Sequence, residues 1–145
     1  EDGGTLKQRL HFNPCGGHPV AMEAGLAVLD VVAEDGVQEN SRVVGVRLKA
    51  GLKKLAASHR IVGDVRGMGL MLGVELVTDR ATKEPAKAAA VDVMEATREM
   101  GVLLGKGGLD GNVLRIKPPM CITKDDADFA LDVLDRAFTL ASGRG

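Results

Sequence analysis

Leu70-Met71-Leu72-Gly73-Val74-Glu75-Leu76 places Leu70, Leu72, Val74 and Leu76 at every second position. Alternation of this kind predicts a strand buried on one face and open on the other. Such a strand needs cover from one side, and the flanking sequence supplies it. Upstream, residues 37–58 predict a helix, with Val37, Val44, Leu48, Leu52 and Leu55 on one stripe and Arg42, Lys49, Lys53 and Lys54 mostly off it. Ile61-Val62 and Asp64-Val65-Arg66-Gly67-Met68-Gly69 then lead into the strand. Downstream come a polar loop over 79–85 and a helix over 86–100 closed by Gly101. Residues 102–104 predict a short strand, 105–112 a glycine-rich turn, and 113–117 a further strand halted by Pro118-Pro119. Thr123 with Asp126 three residues on resembles a capping box with a shortened carboxylate. The helix it opens carries Ala127, Ala130, Leu131, Leu134, Ala137 and Phe138 on one face. This order of elements predicts an α+β fold with helices on one face of a small sheet.

The N-terminal part reads differently. Asn13-Pro14-Cys15-Gly16-Gly17-His18-Pro19 is a tight turn by composition, and Pro19 suits the first turn of a helix. The helix predicted over 20–33 is apolar or small at almost every position, apart from Glu23 and Asp30. A helix apolar all round must be covered on several sides. We expect this one to belong against protein outside these residues.

Composition narrows the function classes. The chain has 145 residues, the size of one ordinary domain, and a net charge of -1 offers no basic footprint for nucleic acid or acidic membranes. With no Trp, no Tyr and three Phe it has no platform for stacking bases. Two cysteines, Cys15 and Cys121, make no disulfide framework and favour a reducing compartment. No apolar run reaches the roughly 18 residues of a membrane helix. The first residues, Glu1 to Gly4, show no targeting signal. The expectation is a soluble intracellular domain, free of nucleic acid and membrane.

Few residues then stand out as chemistry. Gly105-Lys106-Gly107-Gly108 lacks the Walker spacing and leads into a strand, so a hairpin-like turn fits better than a phosphate cradle. His11, His18 and His59 are too scattered for a metal site, and Cys15 has no partner that would make it a nucleophile. Arg115 shares its strand face with Val113 and Lys117, while Leu114 and Ile116 point the other way. Its fork is suited to gripping a carboxylate through two parallel hydrogen bonds. Arg66 is a second candidate, with support of its glycine-flanked turn as the competing role.

Four stretches in fixed order carry a family resemblance. They are His11-Phe12-Asn13 through Gly16-Gly17-His18-Pro19-Val20-Ala21, Ile61 through Met71, Gly105-Lys106-Gly107-Gly108, and Gly111-Asn112-Val113-Leu114-Arg115-Ile116-Lys117-Pro118-Pro119-Met120. Together they resemble the C-terminal third of class III pyridoxal-phosphate aminotransferases, nearest to the alanine–glyoxylate aminotransferase 2 branch. The resemblance runs from His11 to Leu140.

It implies the C-terminal small domain of a fold-type-I enzyme: residues 1–19 as the tail of the large domain with the cofactor-phosphate and dimer loop, 20–35 as the interdomain helix, and 36–145 as the small domain. The implied activity moves an amino group from alanine or a similar amino acid to glyoxylate or another 2-oxo acid, in a mitochondrial homodimer (or otherwise a cytoplasmic one). Arg115 matches the position that grips the substrate carboxylate, and Asn13 is the implied cofactor-binding residue. Pro14 stands where the family's usual threonine contacts the phosphate, and His18 stands where asparagine is usual. The family's cofactor lysine precedes the matched segment, so Lys106 is not that lysine and the 145 residues alone are expected to be inactive. The alternative is a non-catalytic truncated domain acting only through association.

Overall fold

The computed structural model describes residues 16–143. Their elements are α1 (Pro19–Glu34), α2 (Val37–Ser58), β1 (Val62–Met68), β2 (Met71–Leu76), α3 (Lys87–Glu99), β3 (Gly105–Gly107), β4 (Val113–Ile116) and α4 (Lys124–Ser142). The chain divides into two compact units, Glu1–Gly36 and Val37–Gly145. No described helix is long and apolar enough to cross a membrane.

In the first unit, α1 opens at His18, whose ring Nδ1 accepts a hydrogen bond from the Val20 backbone N–H at 3.3 Å. The imidazole thus fills the capping place usually taken by a short polar side chain. Pro19 at the first helical position sacrifices no hydrogen bond. None of the helix's residues is buried: Val20 is 70% and Leu29 64% exposed.

The second unit is an α+β layer. Its four strands are antiparallel in the order β1-β2-β4-β3. Gly69, with φ of +54°, opens the two-residue turn that joins β1 to β2, a backbone state glycine adopts without strain. Leu72, Val74, Leu76, Leu114 and Ile116 project from one face into a cluster with Leu48 and Leu52 of α2, Ala90 and Val93 of α3, and Leu134 and Phe138 of α4. The alternation in β2 therefore marks the covered face as expected. Helix α2 comes unusually close to the hairpin, because a Cβ on Gly45 would stand 2.4 Å from the carbonyl carbon and oxygen of Gly69. The capping box of α4 is fully formed, with the Asp126 N–H donating to Thr123 Oγ1 and the Thr123 N–H donating to Asp126 Oδ2, each at 3.1 Å. The Thr123 hydroxyl, which donates to Asp126 Oδ2 at 2.6 Å, and then the Thr123 N–H hold the Asp126 carboxyl below its usual range.

One strand lies elsewhere than expected. Residues 102–104 form no strand; β3 is Gly105–Gly107, inside the stretch expected to be a turn, and the turn itself is shorter. The reason is the available partner. The Val102 N–H turns back to the Thr97 carbonyl at the end of α3. The ladder with β4 begins only at Gly105 opposite Arg115, and Pro118 has no N–H to extend it.

Candidate functional site

The face of the sheet away from the helices carries both candidate arginines. Register sets Arg66 opposite Gly73, Gly73 opposite Arg115, and Arg115 opposite Gly105. Cross-strand partners project to the same face, so the four strands present one row: arginine, glycine, arginine, glycine. The two arginines are in different electrostatic states.

Arg66 is committed. Its Nη1 donates to Asp64 at 2.9 Å and to Glu75 at 2.5 Å. Both contacts raise the arginine's pKa, that to Asp64 most, and Arg66 in turn holds the Asp64 carboxyl low. Its role in the turn is taken by Lys49, whose Nζ donates to the Gly67 carbonyl at 2.6 Å. Sequence spacing could not show this, because Glu75 meets Arg66 only through strand register.

Arg115 is exposed, and the ion pairs among the described residues all belong to other side chains. Leu114 and Ile116 on either side of it are 0% and 6% exposed, so the strand that aims it is anchored in the core. It also lines a cleft of about 480 Å³ between the 101–105 and 115–118 segments and the first half of α4. Leu48 and Leu134 supply apolar lining to that cleft, Phe129 and Leu104 add to it, and Lys117 brings a second cation. A guanidinium held on a rigid strand, without a counter-ion among the described residues, has the chemistry to seat a carboxylate.

The other candidates lie apart from it. Lys106 pairs with Leu114 in the ladder and so projects from the face opposite Arg115; its Cε lies with that of Lys87 beside Gly111. His18 caps α1, while His59 meets Asp135 at 2.6 Å with its ring against Phe138. Cys121 is an exposed free thiol. Among the described residues no cluster of His, Cys, Asp or Glu could hold a metal ion. Asn13, Pro14, Cys15 and His11 lie outside the described residues. In the sequence Gly105 reads only as part of a glycine-rich turn, and Gly73 has no role beside Arg115; the signal available was glycine inside a strand, which marks close approach.

Comparison with known proteins adds to this geometry. Residues 4–138 match the family model described as Aminotransferase class-III. The chain is 53% identical over 135 residues to alanine–glyoxylate aminotransferase 2 homolog 2, mitochondrial, of Arabidopsis thaliana, covering 93% of this chain and 28% of that protein. It is 44% identical over 130 residues to alanine–glyoxylate aminotransferase 2, mitochondrial, of Homo sapiens, covering 89% of this chain and 25% of that one. A crystal structure of an amine transaminase from an uncultivated Pseudomonas species, in its PLP-bound form, superposes with a TM-score of 0.81 at 34% identity, covering 92% of this chain and 30% of that one. The chain thus spans about 28% of the length of the Arabidopsis relative.

Proposed function

The chain belongs to the class-III aminotransferases, and from that premise we propose that it is the substrate-facing C-terminal part of a pyridoxal-phosphate-dependent transaminase. In this reading the enzyme moves an amino group from alanine or a similar amino acid to glyoxylate or a related 2-oxo acid. The relatives' names support that choice of substrates and a mitochondrial location. Residues 36–145 serve as the small domain that closes over the substrate, 20–35 as the interdomain helix, and 1–19 as the loop toward cofactor and partner subunit of a homodimer. The bare apolar surface of α1 suits a helix covered by other protein.

The described residues do not fit pyridoxal phosphate as a resident group. Beside Arg115 lie Lys117, bare glycine backbone and the neutralised Arg66 cluster, and Lys106 faces the other way. What they fit is the carboxylate of its substrates. Amino acid and 2-oxo acid carry the same carboxylate, so one strand-held arginine serves both halves of the exchange. The observation that carries the reading is Arg115: exposed, without a counter-ion among the described residues, and fixed between two core residues.

The test is Arg115→Lys in the Arabidopsis relative carrying this chain in place of the segment it matches. An ammonium cannot reproduce the fork. We expect about 2–3 kcal/mol of lost transition-state binding in each half-reaction, measured by single-turnover kinetics, with cofactor affinity unchanged. Unchanged rates, or a loss confined to cofactor binding, would return Arg115 to a structural role.

A further inference from the structure

Arg115 has a glycine as its register partner on each side, Gly73 on β2 and Gly105 on β3, and its side chain uses only one of them. A Cβ built on Gly105 would stand 3.1 Å from Arg115 Nε, 3.3 Å from Nη2 and 3.6 Å from its Cβ. A Cβ on Gly73 would have Val113 Cγ1 at 3.4 Å and Arg66 Cγ at 3.9 Å, and no atom of Arg115 within 4 Å. The guanidinium therefore leans toward the edge strand and rests on bare backbone at Gly105, with both nitrogens of one fork against it.

Backbone conformation does not demand glycine there. Gly105 is not among the glycines with positive φ, and neither is Gly107 two residues along the same face. Of the two usual reasons for glycine within a strand, a bend or a close approach, only the approach has atoms to support it. A methyl group at 105 would sit inside the ordinary 3.5–4.0 Å contact distance of carbon atoms, and the exposed guanidinium would be the group to give way. At Gly107 a Cβ would meet nothing within 4 Å.

We propose that Gly105 is a positioning residue for carboxylate recognition: its missing side chain is the shelf that aims the Arg115 fork. The inference rests on the assignment of Arg115 to the substrate carboxylate, and it adds the part of the sequence that sets the arginine's direction. It also gives the Gly105-Lys106-Gly107-Gly108 run a purpose at its first glycine, where neither a phosphate nor the lysine is involved.

The experiment uses the same Arabidopsis relative carrying this chain, as wild type and as Gly105→Ala, Gly107→Ala and Arg115→Lys. Each is assayed with L-alanine and with L-alaninamide, which keeps the amino acid's shape and lacks the carboxylate charge. A misplacement of about 1 Å can cost on the order of a hundredfold; a shift of a few tenths should narrow the preference for alanine over alaninamide about tenfold. Gly105→Ala should do so with an unchanged thermal midpoint, Arg115→Lys should narrow it at least as much, and Gly107→Ala should leave it intact. In the nitrogen-labelled 145-residue chain, the Arg115 Nε–H resonance should move in Gly105→Ala and stay in place in Gly107→Ala. If Gly105→Ala keeps the wild-type preference while Arg115→Lys loses it, the shelf is wrong and the arginine's role stands. If Arg115→Lys also keeps it, the carboxylate reading fails and the shelf with it. Equal loss toward both substrates in Gly105→Ala would make the glycine merely structural and overturn the proposal.

Discussion

Arg66 and Glu75 meet across the β1–β2 ladder at 2.5 Å, and the same arginine nitrogen holds Asp64, which stands opposite Glu75 in register. Two carboxylates facing one another across a ladder repel, so the arginine makes the pairing tolerable. Its hydrogen bond lowers the Asp64 carboxyl below the ordinary 3.8. A carboxyl held low in the folded state contributes stability above its unfolded value and loses it as pH falls through the folded one. This contribution is therefore complete from neutral pH down to about pH 4 and fades below. With Arg66 and Asp64 each half-exposed, at 50%, solvent screening keeps it under about 1 kcal/mol. In urea titrations, Arg66→Leu should lower the midpoint at neutral pH, and the two curves should draw together below about pH 4. Curves that stay parallel through the acid range would place the stability elsewhere.

Gly45 and Gly51 both sit inside α2, and an added methyl meets different obstacles at the two positions. At Gly45 it would stand 2.4 Å from Gly69 backbone, which cannot swing aside; at Gly51 it would meet the tip of the Leu131 side chain at 2.2 Å, which can. Replacing a helical glycine by alanine gains about 1 kcal/mol of propensity. Overpacking against fixed backbone costs about 1–3 kcal/mol and should win at Gly45, so that Gly45→Ala is clearly less stable than Gly51→Ala by denaturant unfolding. The reverse order would mean that the hairpin turn yields more easily than a leucine rotamer.

What could be read from the sequence follows from how local each interaction is. The alternation in β2, the span of α2 and the Thr123–Asp126 cap depend on residues within a few positions of each other, and the structure has all three. The parity of β4 likewise put Arg115 on the open face and Leu114 in the core. Register is not local. Nothing near residues 102–104 revealed that Val102 would bond back to Thr97 and leave the ladder to Gly105. The same blindness hid Glu75 as the partner of Arg66 and Gly105 as the neighbour of Arg115. Strand parity and a resemblance singled out the arginine as a candidate, and only the register showed its surroundings.

Lys106 offers a direct check on the facing of β3. It projects from the side opposite Arg115 and lies near Lys87 at Gly111. Mixed with pyridoxal phosphate, the 145-residue chain should retain no coloured adduct after gel filtration and should turn over no alanine and glyoxylate. The absence of Trp and Tyr makes any bound chromophore easy to see. A visible band that survives filtration and disappears in Lys106→Ala would show that this lysine holds the cofactor after all.

The two units should separate cleanly. Among the described residues, every member of the buried cluster lies between Val44 and Phe138, inside Val37–Gly145, whereas α1 buries none of its own. Removing residues 1–36 therefore takes no described residue from that cluster, and the 37–145 fragment should unfold with a urea midpoint close to that of the intact chain. Association should change. Val20, Leu26, Val28 and Leu29 are each more than half exposed on α1, and a large apolar patch left open drives contact between molecules. Light scattering should show the intact chain associating as concentration rises and the 37–145 fragment staying monomeric. An intact chain that remains monomeric beside an insoluble fragment would mean that α1 shields the second unit, and that its apolar surface is spent within the chain rather than offered to another one.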